Sequence, residues 1–95
     1  MVNKCYDTVD FAINYVDRDG DRITRGWFNL SSRGWTNIDA RSATFYYYAK
    51  SRNGKHIWTG NDLRKTVEGS DTVYRFRKGT PNVSGRVLRQ SLTCE

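Results

Sequence analysis

With 95 residues the chain is a single domain, residues 1–95, with room for one core and no large cavity. Apolar residues reach only 37%, below the usual ~45–50%, yet 13 aromatic rings and a single Pro argue for a folded chain. A net charge of +6, one His, two Cys, no ~18-residue apolar span, no hydrophobic leader and no glycine-rich phosphate loop exclude three classes: a helical membrane anchor, a self-contained four-ligand zinc site and a nucleotide cradle.

The pattern is β almost throughout. From Thr8 to Val16, Val9, Phe11, Ile13 and Tyr15 alternate with Asp10, Ala12 and Asn14, the period of a strand with one buried face. Asp17-Arg18-Asp19-Gly20-Asp21 then supplies a hairpin turn, because Asp-Gly tolerates the positive φ such turns demand. Ile23 to Leu30 resumes as a strand, with Ile23, Arg25 and Trp27 on one face. Ser31 to Gly34 is a turn and Trp35 to Asp39 a short strand.

Phe45 to Lys50 is the strongest strand signal, aromatic until Ala49, and Asn53-Gly54 turns it into His56 to Thr59. Asn61 to Glu68 is the one segment suited to a helical turn or two, capped by Asn61 or Asp62. Thr72 to Arg77 alternates cleanly, with Val73, Arg75 and Arg77 opposite Thr72, Tyr74 and Phe76. After a break at Gly79 to Asn82, Arg86 to Cys94 closes the chain as a weakly patterned strand. The expected fold is all-β: a small antiparallel β-sandwich or partly closed barrel of about seven short strands.

Cys5 precedes the first strand and Cys94 ends the last. The ends of a small domain often lie close together, so a Cys5–Cys94 bridge is expected, the alternative being two unrelated thiols. A bridge implies an oxidising compartment, secreted or periplasmic. Asp17, Asp19 and Asp21 imitate half a calcium loop. Counting from Asp17, however, the sixth position is Arg22 and the twelfth Phe28, so a plain hairpin turn is the better reading and no metal is assigned. Nor does any motif call for a cofactor.

Catalytic chemistry is thinly supplied. His56 is the sole side chain that ordinarily titrates near neutrality. A triad drawn from Ser51 or Ser70, or a ribonuclease-like pairing with Glu68, lacks any further sign of a site, so an enzyme, a small hydrolase, ranks third. Asn29-Leu30-Ser31 and Asn82-Val83-Ser84 match the glycosylation triplet, a pattern frequent by chance.

Charge is the more informative feature. Residues 1–40 carry net −1 and residues 41–95 net +7, and the basic half interleaves cations with rings. Tyr47, Trp58, Arg64, Arg75 and Arg77 are therefore the candidate binding residues. They suit a protein partner or an acidic surface first. Nucleic acid or another polyanion, bound without sequence specificity, is the alternative. Against both stands the plain reading of rings in the core with arginine stems covering them.

Five segments together carry a resemblance: Asn3-Lys4-Cys5, Ala12-Ile13-Asn14-Tyr15, Arg25-Gly26-Trp27-Phe28, Tyr46-Tyr47-Tyr48-Ala49 and Trp58-Thr59-Gly60. Over about residues 3–78 the chain resembles the bacterial domain of unknown function 1036 family, with the GW and YYYA elements the most specific. The resemblance implies an exported or membrane-associated bacterial accessory or binding domain, with no catalytic residues. The family's further cysteines have no counterpart, since Asn61-Asp62-Leu63 follows Gly60 without a Cys. The Cys5–Cys94 expectation therefore rests on chain-end geometry alone.

Overall fold

The computed structural model describes residues 1–42, 44–67, 71–79, 83–84, 87–88 and 90–94, and every regular element among them is a strand. In chain order these are β1 (Val2–Asn3), β2 (Val9–Val16), β3 (Arg22–Leu30), β4 (Ile38–Asp39), β5 (Tyr46–Ser51) and β6 (Ile57–Trp58). Then follow β7 (Leu63–Thr66), β8 (Val73–Lys78), β9 (Val83–Ser84), β10 (Val87–Leu88) and β11 (Ser91–Leu92). The main sheet is antiparallel in the order β3-β2-β5-β8-β7, with β6 paired to β5. It curls into a half-barrel, and two small sheets, β1-β11 and β4-β10-β9, complete the fold. The all-β expectation holds, although six of the eleven strands among the described residues are two-residue pieces that the sequence hardly marks.

Turn chemistry places the hairpins. Gly20 has φ 88° and Gly54 φ 75°, the left-handed backbone that only glycine adopts cheaply. At the first turn Asp17 Oδ1 accepts the amides of Asp19 and Asp21, both at 3.0 Å, so this carboxylate organises the turn itself.

Two segments depart from expectation. The helical turn proposed within Asn61 to Glu68 is instead β7, in register with β8 through Leu63 opposite Phe76. A helix there would leave its terminal amides unpaired and β8 a bare edge, whereas pairing satisfies both backbones. The final strand is divided, β10 pairing with β4 and β11 lying parallel to β1. Each half finds a different partner, which is why no single alternation runs through it.

The sheet has two apolar faces. On one, Val9, Phe11, Ile13 and Tyr15 of β2 are all buried, as their alternation predicts. They pack with Tyr47, Ala49, Trp58 and Leu30 against Met1, Cys5, Ile38, Leu88 and Leu92 from the segments around the small sheets. The other, concave face holds a smaller cluster of Ala12, Val67 and Phe76. Gly26 lets the curl tighten: a Cβ there would stand 2.8 Å from Ala12 Cβ and 3.0 Å from Val67 Cγ1. Val67 follows β7 directly, so the end of one edge strand closes on the opposite edge, β3.

The chain ends are joined. β1 and β11 run side by side, Lys4 N donates to Leu92 O at 2.9 Å, and Cys5 and Cys94 stand at disulfide distance with Cα atoms 5.2 Å apart. Asn3, fully buried beside this seam, donates through Nδ2 to the carbonyls of Asp7, Leu30 and Ser31 and accepts the Cys5 amide.

Candidate binding site

A bulge builds the site. Phe11 pairs with Phe28 and Ile13 with Arg25, so Gly26 and Trp27 together face the single residue Ala12. An extra residue in one strand re-aims everything beyond it. Trp27 therefore leaves the face of Ile23 and Arg25, where simple alternation put it, and joins the concave face. There it meets Tyr48 of β5 and Tyr74 of β8.

The three rings touch pairwise. Trp27 lies edge-on to Tyr48 at 6.0 Å and to Tyr74 at 5.0 Å between centroids, and Tyr48 lies 5.0 Å from Tyr74. Edge-to-face contacts of this kind fix ring orientation, each worth about 0.5–1.5 kcal/mol beyond area burial. All three rings are half-buried. Burial, helped by the neighbouring Tyr74, raises the Tyr48 phenol above its ordinary value, so it remains a neutral hydrogen-bonding group.

A polar row runs beside the rings. Asn29, Asp10 and Lys50 are direct cross-strand neighbours on β3, β2 and β5. Asn29 Nδ2 donates to Asp10 Oδ1, and Arg52 closes on the same carboxylate with Nε and Nη2 both at 3.4 Å. Rings and polar row line a cleft of about 470 Å³, within the roughly 300–1,000 Å³ of small-ligand sites.

The candidate residues named from sequence are distributed differently. Tyr47 and Trp58 are 3% and 8% exposed, so both rings sit largely in the core, Trp58 keeping a small exposed part that lines a hollow. The arginines do reach the surface. Arg64 and Arg75 are directly opposite on β7 and β8, and both are exposed. Arg77, half-buried, pairs in register with Tyr47, donates to Thr59 O at 3.0 Å, and shares a hollow of about 390 Å³ with Trp58 and His56. These cations lie on the opposite face of β8 from Tyr74 and Phe76, so rings and arginines form two surfaces rather than one. Sequence reasoning missed Trp27, Tyr48 and Tyr74 as a group because the bulge that gathers them leaves no mark beyond Gly26.

The catalytic alternatives gain no geometry. Ser51 Oγ donates to Asn53 Oδ1 at 2.8 Å and accepts the His56 backbone amide at 3.1 Å, which ties down the hairpin. No described hydrogen bond joins it to the imidazole. Glu68, Ser70 and Asn82, invoked for catalysis or glycosylation, lie outside the described residues, as do Arg86 and Arg89. Among the described residues no helix is long and apolar enough to cross a membrane.

No protein-family model, curated protein or solved structure matches the chain.

Proposed function

We propose that this protein is a non-catalytic binding module and that its ligand sits in the concave cleft of Trp27, Tyr48 and Tyr74. The observation that carries this reading is the convergence of three oriented, half-exposed rings on a preformed cleft edged by Asp10, Asn29, Lys50 and Arg52. By contrast, Phe11 and Phe76 are fully covered and serve the core alone. The cysteine pair is compatible with an oxidising extracellular compartment, which supports reading the chain as a secreted or periplasmic protein.

A second reading, capture of an acidic protein surface or a polyanion, is favoured by Arg64 and Arg75. Like charges directly opposite one another destabilise a sheet, and an external anion would relieve that repulsion.

The two readings separate with one set of variants. Fluorescence binding assays with neutral oligosaccharides, oligothymidylate and acidic peptides should show saturable binding that Trp27→Ala abolishes and Arg64→Ala/Arg75→Ala preserves. Binding that is steeply salt-dependent and lost only in the arginine variant would move the site to the β7–β8 surface.

A further inference from the structure

The concave cleft combines two kinds of group in a way that narrows its ligand. Its rings are held at fixed, mostly steep mutual angles and stay half-exposed. Beside them the Asp10 carboxylate is clamped between Asn29 and Arg52, which fixes its orientation without using up its lone pairs. Asn29 and Arg52 keep further donors, the Asn29 carbonyl is an acceptor, and Lys50 is the cross-strand neighbour of Asp10. Donors and acceptors thus alternate over a few ångströms along one side of an aromatic wall.

Net charge in the cleft is small. Asp10 and Arg52 cancel, leaving Lys50 as a single surplus charge, too little to hold a phosphate chain. An apolar peptide would leave Asp10, Asn29 and Arg52 to be desolvated without new partners, which is costly. A sugar ring meets both demands. Its hydroxyls each donate and accept, so adjacent hydroxyls match a carboxylate flanked by amide and guanidinium. Its axial C–H face is weakly electropositive and suits the negative face of an indole or phenol ring.

We infer that the cleft binds a neutral saccharide, with hydroxyls on Asp10, Asn29 and Arg52 and a ring face on Trp27, Tyr48 or Tyr74. This assignment rests on the binding-module reading above and names its ligand class. Asp10 acts as the orienting acceptor; Lys50 and Arg52 act as donors. The ligand is neutral and releases no counterions on binding, so affinity is insensitive to salt, unlike a phosphate site.

Calorimetric titration of the full chain tests it, using neutral gluco-, xylo-, manno- and N-acetylglucosamine oligosaccharides at millimolar concentration. Oligothymidylate and heparin form the control arm. The expected result is saturable binding of at least one neutral oligosaccharide, unchanged by salt and lost in Trp27→Ala. Asp10→Asn, which preserves shape and is the milder variant for folding, should weaken it roughly tenfold or more. Binding by oligothymidylate alone, still dependent on Trp27, would overturn the saccharide assignment and leave the binding module standing. Saccharide binding that survives both variants would also overturn it, by moving the sugar elsewhere. If no probe binds in a Trp27-dependent manner, the saccharide and the cleft fall together.

Discussion

Burial pushes the Tyr48 phenol above 10.0, its ordinary value, and repulsion from the Tyr74 phenolate adds to the shift. A raised value means that the folded state holds this proton more tightly than the unfolded chain does. Its contribution to stability is therefore complete below the ordinary value and is lost as pH climbs through the raised one. Ultraviolet titration of phenolate should show one late-ionising tyrosine that Tyr48→Phe removes, and alkaline unfolding should shift with it. Gly26→Ala probes the curl from the same scale: its Cβ would press on Ala12 Cβ at 2.8 Å, costing about 1–3 kcal/mol in chemical denaturation. Asn3→Leu should cost about 1–3 kcal/mol or more, because carbonyls of Asp7, Leu30 and Ser31 lose their side-chain donor at the buried seam. Nothing in the sequence marks the Asn3 side chain as a buried hydrogen-bonding hub. Its role depends on partners 4, 27 and 28 positions away.

At the scale of strands, the legible parts were those governed by local chemistry. Asp-Gly and Asn-Gly set the two turns, and the four residues of β2 on the larger core were readable from alternation because β2 is paired on both sides and keeps them on one face throughout. The site was not readable, for a physical reason. Alternation predicts facing only while the register is unbroken, and the bulge opposite Ala12 reverses it for Trp27. The Arg64–Arg75 pair on β7 and β8 invites a direct test. Arg64→Glu replaces a repulsive cross-strand pair by an attractive one and should stabilise the chain by about 0.2–1 kcal/mol in thermal or chemical unfolding. The same change should leave Trp27-dependent binding intact, since Arg64 lies on the other face of the sheet.

Across the whole molecule, the modest aliphatic content is offset by rings on two faces of one sheet and by a covalent closure near the chain ends. Cys5 and Cys94 are separated by 89 positions, so the bridge encloses nearly the entire chain. In the chain-entropy model that is worth on the order of 4–5 kcal/mol, and a Cys5→Ser/Cys94→Ser variant should lose a large part of it. The pairing of β1 with β11 keeps the ends together after reduction, so the variant should still fold at low temperature. The layers also divide the labour. The covered face anchors the sheet to the small sheets, which leaves the concave face free to carry half-exposed rings, while the arginines stand apart on the back of the β7–β8 hairpin. That the concave face is the working surface is the central claim, and amide and indole chemical shifts test it most directly. As a binding oligosaccharide is titrated in, the Trp27 indole, the Asn29 side-chain amide and the backbone around Tyr48 and Tyr74 should shift together, with Arg64 and Arg75 unmoved. Shifts confined to the arginine face, with the Trp27 indole unchanged, would contradict the account.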